Sequence, residues 1–286
     1  MIAAGASFLC GLIGADIQGS LSPALHEGEA AAQGLHCDYT LIDLDVLGVG
    51  IEALPGLLAD AERQAYAGLN ITYPCKQAVV PLLQELSPEA RALGAVNTVL
   101  LGNSKRVGHN TDTTGFAESF RRGLPGAKLD RVLLLGAGGA GSAVGHAALA
   151  LGVRTLLLHD VEAARAHRLA SRLQALFPKA GVSAVADVAQ AMASVNGLIH
   201  CTPIGMLNRP GMPLDAQLIQ KGHWVAEIVY VPLETELLRV ARAKGCRTID
   251  GGGMAVFQAA GAFRLFTGRD ADAARMEAHF RKLVAR

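Results

Sequence analysis

The chain has 286 residues, 51% hydrophobic and 18% charged, which is apolar material enough for one large domain or two and excludes a disordered chain. A net charge of +1 points away from nucleic-acid and basic membrane-surface partners, and no apolar run approaches the length of a membrane span. The five cysteines are odd in number, widely spread and free of CxxC spacing, and no HExxH occurs, so neither a disulfide framework nor a metal site is indicated and a reduced, cytoplasmic protein is expected.

The stretch MIAAGASFLCGLIG is apolar but lacks a basic n-region and runs into a first strand, so a signal peptide is not expected. Strands are predicted over residues 8–13, 37–41, 68–72 and 95–101, with alanine- and leucine-rich helices between them at 23–33 and 50–66. In "GLNITYPCKQAVV", residues 68–80, Leu69, Ile71 and Thr72 read as a buried strand end. Tyr73-Pro74 closes it, because proline lacks the N–H a ladder needs and restricts the residue before it. Lys76 therefore stands at a strand-to-helix corner with Asn70 and Thr72 nearby. By position alone a solvated lysine is the commoner reading. The stretch "RRGLPGAKLD", residues 121–130, breaks the pattern with two glycines and a proline. A more regular series follows: a strand over 131–135, a glycine-rich turn, a helix to residue 151, a strand over 155–159 and a helix over 162–177. Further strands are predicted over 195–201 and 224–230, and helices over 253–266 and 271–284 close the chain. This alternation is the signature of an α/β fold with parallel strands.

The run "RVLLLGAGGAGSAVGHAALALGV" holds Gly136-x-Gly138-x-x-Gly141 between a buried strand and a helix of small residues. The first glycine permits the tight turn, the second lets the backbone approach a pyrophosphate, and the third brings the helix close to the strand. Asp160, nineteen residues beyond Gly141 at the end of the next strand, stands where a ribose-binding carboxylate is expected. The bland alternative is a tight turn that binds nothing.

Six short polar motifs remain in an otherwise apolar chain: "GLIGADIQGSLSPALHE", "GLNITYPCK", "GAVNTV", "GHNTDTTGF", "CTPIGM" and "DGGGMAVFQ". Together and in this order they resemble the shikimate/quinate dehydrogenase family, over essentially the whole chain from Gly11 to Gly268. The resemblance implies an α/β substrate-binding domain over residues 1–115, completed by C-terminal helices at 254–286, and a Rossmann dinucleotide-binding domain over 116–253, with the active site in the cleft between them. Ser20 and Ser22 match the serines that hold the substrate carboxylate. Asn70, Thr72, Asn97 and Gln258 match side chains that read the ring hydroxyls, and Lys76 and Asp112 match the catalytic pair. Gly136, Gly138, Gly139, Ala140, Gly141, Asp160, Thr202, Gly251 and Met254 match positions lining the cofactor. Tyr230, past a strand end, is a further candidate substrate contact.

The chain departs from the family pattern twice. His159-Asp160-Val161 stands where Asn-Arg-Thr is common, and Gly19 replaces the usual histidine before the first serine. Asp160 repels a 2′-phosphate, so NAD is the expected cofactor. Oxidising a secondary alcohol needs a proton acceptor, and a lysine desolvated beside a carboxylate, as Lys76 with Asp112 would be, can serve. The bland readings are a solvated lysine, an Asp112 helix cap, serines that merely cap the helix from residue 23, and His26 and His109 as packing residues. The expected activity is oxidation of the 3-hydroxyl of shikimate, with quinate used less well because Ser22 stands where quinate-adapted relatives often carry threonine. An amino-substituted substrate analogue and a non-catalytic nucleotide sensor are the alternatives; the presence of both Lys76 and Asp112 speaks against the sensor. The expected state is a monomer or homodimer with a small-molecule substrate and no nucleic-acid or membrane partner.

Overall fold

A computed structural model describes residues 5–102 and 105–285; the first four residues of the expected substrate domain lie outside them. The chain divides into two compact units, Met1–Thr111 with Val256–Arg286, and Asp112–Ala255.

The first unit runs β1 (Ser7–Gly14), α1 (Ser22–Ala32), β2 (His36–Asp43), α2 (Leu44–Leu47), α3 (Leu54–Arg63), β3 (Tyr66–Ile71), α4 (Cys75–Ala78), β4 (Glu85–Leu86), α5 (Pro88–Leu93), β5 (Thr98–Gly102) and β6 (Lys105–His109). Its six-stranded sheet has the order β2-β1-β3-β5-β6-β4. Strand β1 is parallel to β2 and β3, but β5 is antiparallel to both β3 and β6, so this sheet is mixed where the alternation predicted parallel strands throughout. The reason is length: β5 and β6 pair from Thr98↔His109 to Gly102↔Lys105, a connection too short for the crossover that a parallel pair requires. Successive strand residues face opposite sides, and both sides are covered. Ile13, Leu69 and Ile71 pack with Leu54 and Leu58, while Cys10 and Leu12 pack with Ala30 and Phe263. The helix predicted over 50–66 is shorter, because Ala65 turns the chain at φ +58° and Tyr66 is buried as the first residue of β3.

The second unit runs α6 (Asp112–Gly123), β7 (Arg131–Leu135), α7 (Gly139–Ala150), β8 (Thr155–His159), α8 (Ala163–Leu176), β9 (Gly181–Ala184), α9 (Val188–Met192), β10 (Gly197–His200), β11 (Trp224–Glu227), α10 (Glu236–Ala243) and β12 (Arg247–Ile249). Helix α11 (Gly251–Thr267) starts in this unit and ends in the first, where α12 (Ala273–Val284) also lies. The sheet order is β12-β11-β10-β7-β8-β9 and every pair is parallel. In β7, Val132 and Leu134 pack into one layer with α7 and α8, and Leu133 and Leu135 into the other with α9 and α10. Burial on both faces is why this strand reads as an unbroken apolar run. Strand order reverses between β7 and β10, the switch point at whose carboxyl ends such sheets bind ligands. The strand predicted over 224–230 stops at Glu227, whose own carboxylate accepts the Ile228 and Val229 N–H groups at 2.9 and 3.0 Å, while Ile228 N–H keeps only a longer bond of 3.3 Å to the His200 carbonyl of β10. Among the described residues no helix is long and apolar enough to cross a membrane, and no group of three His, Cys, Asp or Glu is placed to hold a metal.

Candidate active site

A chain of hydrogen bonds crosses the first unit's sheet at Asn70, which is level with Leu12 of β1 and Thr98 of β5. Asn70 Oδ1 accepts the Tyr39 hydroxyl at 2.8 Å, and Nδ2 donates to Thr98 Oγ1 at 3.1 Å and to the Asn97 carbonyl at 3.4 Å. Asn97 Oδ1 accepts the Thr98 hydroxyl at 3.0 Å and the Thr111 N–H at 2.8 Å, while its Nδ2 donates to Thr111 Oγ1 at 2.9 Å. The Ser22 side chain lies beside the Tyr39 phenol and lowers its pKa, an effect smaller than that of burial. Burial pushes the phenol pKa well above its ordinary value, so it stays protonated and able to donate. Ser22, Asn70 and Asn97 are thus brought together through Tyr39, Thr98 and Thr111, none of which sequence reasoning singled out. A tyrosine or threonine in an alternating strand carries no local signal of this kind.

The Ser22 N–H donates to Ser20 Oγ at 3.2 Å, and the residue before α1 is Leu21, without a side-chain cap. Neither serine is the helix cap that the bland reading offered. Gly19 faces open space. Thr72 N–H donates to the Ile13 carbonyl at 2.9 Å, which holds the corner after β3 against β1. Lys76 is half-buried on α4, and its carbonyl accepts Val96 N–H at 2.8 Å, beside Asn97. Gln258, half-buried, is three residues before Gly261, whose Cβ position lies 3.2 Å from Thr111 Cγ2. His26 is wholly buried among Tyr39, Phe263 and Phe266, and burial lowers its pKa to about 3, which makes it a neutral packing residue.

In the second unit β7 leads into the glycine loop. Gly136 has φ +98°, and a Cβ there would meet the Cys201 carbonyl at 2.7 Å and Thr202 Cγ2 at 3.0 Å, so conformation and space both require glycine. A Cβ on Gly141 would run into the Gly136 carbonyl. Gly138, by contrast, faces open space at the start of α7, with Gly139 and Ala140 as the first turn. An open approach to free helix N–H groups fits a pyrophosphate, and these residues would hold that part of a dinucleotide. Asp160 closes the loop from β8: Oδ2 accepts Ala137 N–H at 2.7 Å and Oδ1 accepts Glu162 N–H at 2.9 Å. Gly251 donates its N–H to the Val229 carbonyl at 3.3 Å, and Met254 packs on the layer of α6 and α7. Tyr230 is half-buried past β11, with its phenol pKa raised by burial. Asp112 is buried as the first residue of α6, so Lys76 and Asp112 are supplied by different units.

Residues 12–99 match a family model described as the shikimate dehydrogenase substrate binding domain, and residues 251–279 match one described as the shikimate 5′-dehydrogenase C-terminal domain. Over 281 residues the chain is 54% identical to a shikimate dehydrogenase (NADP(+)) of Arthrobacter sp. (strain FB24), covering 98% of this chain and 96% of that protein. It is 46% identical over 280 residues to a quinate/shikimate dehydrogenase (NAD(+)) of Corynebacterium efficiens, covering 97% and 99%. The structure of a quinate dehydrogenase from Corynebacterium glutamicum in complex with NAD superposes with a TM-score of 0.92 at 43% identity, over 97% of this chain and 99% of that one.

Proposed function

The chain belongs to the shikimate dehydrogenase family, and from that premise we propose that it is an NAD-preferring enzyme that interconverts shikimate and 3-dehydroshikimate, with quinate as a poorer substrate. The nicotinamide dinucleotide supplies the hydride acceptor when bound. Ser20 and Ser22 hold the substrate carboxylate by their hydroxyls. Asn70, Thr72, Asn97 and Gln258 orient the ring. Lys76, with Asp112, takes the proton from the C3 hydroxyl as the hydride leaves. Tyr230 packs beside the substrate.

The observation that carries the cofactor preference is Asp160. Its two oxygens are each fixed by one backbone N–H, which leaves a lone pair on each for the ribose diol and a negative charge where a 2′-phosphate would sit. Arg165, the nearest arginine along the chain, pairs instead with Glu162 at 2.6 Å. NADP is the second reading, favoured by the name of the Arthrobacter relative, the more similar of the two described above. Initial rates at the NADH and NADPH absorbance bands, with shikimate and quinate and with NAD and NADP, test the proposal. The expected result is a higher kcat/KM with NAD and shikimate, and a narrower cofactor gap in Asp160→Ala. Equal efficiency with NADP in the unmodified enzyme overturns the cofactor reading, preference for quinate overturns the substrate reading, and no turnover with either acid overturns the dehydrogenase.

A further inference from the structure

At the carboxyl ends of β10 and β11 lies a buried hydrogen-bonded chain that the proposed chemistry does not use. His200 and Glu227 are cross-strand neighbours in register, and neither side chain is exposed at all. The two Glu227 oxygens lie 2.9 and 3.0 Å from His200 Nδ1. One of them accepts the Ile228 and Val229 N–H groups at 2.9 and 3.0 Å, and the other accepts the Thr235 hydroxyl at 3.1 Å. Thr235 is the cap of α10 and its oxygen already accepts Leu238 N–H, so its proton is directed at Glu227. Surrounded by donors, Glu227 is an acceptor on both oxygens, and Nδ1 of His200 must carry the hydrogen between them.

That fixes the tautomer. Nε2 faces Thr202 Oγ1 at 2.5 Å, and with the single ring hydrogen on Nδ1 the Thr202 hydroxyl is the donor of that bond. Thr202 also accepts Ile204 N–H at 3.3 Å. What it can offer a ligand is a lone pair. Thr202 is placed at the switch point independently of any resemblance, because Gly136 of the glycine loop approaches its Cγ2 and His200 is level with Leu135 of β7. Stability alone does not explain the arrangement, since a buried polar network gains little over apolar packing of the same volume.

We propose that His200 and Glu227 are positioning residues that hold the Thr202 hydroxyl as a hydrogen-bond acceptor for an N–H or O–H donor of the bound dinucleotide. The proposal rests on the dinucleotide reading of this unit, and the test separates the two. NADH binding to the unmodified enzyme is measured first, by fluorescence titration; absence of both NADH and NADPH binding overturns the dinucleotide reading before any variant is made. Thr202→Val then removes the acceptor and should raise the NADH Kd and the dinucleotide KM about tenfold, with the shikimate KM unchanged and Thr202→Ser close to the parent. Glu227→Gln keeps shape and backbone partners but presents an amide N–H to Nδ1. It replaces one of the two acceptor oxygens at Nδ1 by a donor, so the direction of the His200–Thr202 bond is no longer fixed. It should raise the NADH Kd toward that of Thr202→Val, and the double variant should be no worse than Thr202→Val alone. Additive effects in the double variant, or an unchanged Kd in Thr202→Val, overturn the proposal. If Glu227→Gln fails to fold, as a thermal melt would show, His200→Gln in the same double-variant cycle decides. ADP-ribose, titrated alongside, separates the donors: equal weakening of ADP-ribose and NADH by Thr202→Val identifies a ribose hydroxyl, and weakening of NADH alone the carboxamide.

Discussion

Asn70 commits both amide hydrogens and one oxygen lone pair inside the protein, on Thr98, the Asn97 carbonyl and Tyr39, so the hold on a ring hydroxyl proposed for it depends on the groups that orient it. Tyr39 is the partner with no substitute, because its proton goes to Asn70 and its oxygen meets Ser22. Tyr39→Phe leaves a buried carbonyl oxygen short of its donor, at a cost of about 1–3 kcal/mol. We expect the shikimate KM to rise about tenfold while the NADH Kd stays unchanged; an unaltered KM would show that Tyr39 is only a core residue. Lys76 is a different case. It stands on the one-turn helix α4, tied at its carbonyl to Val96, so the backbone there is held whatever the side chain is. Lys76→Ala should therefore fold normally and lower kcat about a hundredfold or more, the usual scale for losing a general acid–base group, with NADH affinity intact. Near-normal turnover in this variant would remove Lys76 from the mechanism.

At the scale of elements, the segment from Ala15 to Leu21 between β1 and α1 carries Ser20, leads into Ser22 at the start of α1 and has no regular structure of its own. It is tethered from the end of β2. Asp43 Oδ2 accepts Gln18 Nε2 at 2.9 Å and Ile17 N–H at 3.1 Å, and Asp45 accepts Asp16 N–H at 2.9 Å, at a residue with φ +54°. The Gln18 hydrogen bond, with backbone N–H groups from Ile17 and Asp45 and against the effect of burial, holds the Asp43 carboxyl below its ordinary value of 3.8. A carboxylate with a lowered folded pKa adds stability that is complete above the unfolded pKa and lost as pH falls through the folded one. Acidification below about pH 4 should thus lower the thermal midpoint less steeply in Asp43→Asn than in the parent. Parallel slopes would show that the tether does not depend on charge. Elements as a class divide by how strongly local sequence marks them. β7 and α7 are an apolar run, a glycine turn and a small-residue helix, and they were legible. β6 (KRVGH), β9 and β12 are short and half-exposed, so no periodicity marks them, and the antiparallel β5–β6 pair followed them out of view. Among the candidate site residues, Lys76, the serines and the glycine loop stand out in the sequence because polar or glycine residues interrupt an apolar background. Asp43, Tyr39, His200 and Glu227 occupy ordinary strand positions, and only register brings them to Ile17, Asn70 and Thr202.

At the scale of the whole molecule, the chain's end completes its first unit. Residues 256–286 return to it through α11 and α12, and one buried carboxylate fastens them. Glu29 of α1, whose side chain is wholly buried, accepts Arg275 Nε at 2.9 Å and Nη2 at 2.7 Å, Asp272 N–H at 2.9 Å and Gln33 Nε2 at 2.7 Å. Arg275 is 42% exposed, so solvent screens part of the attraction, but the carboxylate has no such relief. Arg275→Ala leaves Glu29 with neutral donors only, and the cost should be about 1–3 kcal/mol, below the several kcal/mol of a fully buried pair. For a chain of this size that is a fall in Tm of roughly 2–10 °C. Every partner in the clamp belongs to the first unit, whereas the glycine loop and Asp160 belong to the second, so NADH affinity at 25 °C should not change. Saturating NADH should still raise the Tm of parent and variant, by mass action worth about 2.7 kcal/mol at a hundredfold excess over Kd. Thermal melts with and without NADH, beside a fluorescence titration, measure all of this together. An unchanged Tm in Arg275→Ala would mean that α12 is held by its apolar face through Met276 and Phe280 and not by the clamp.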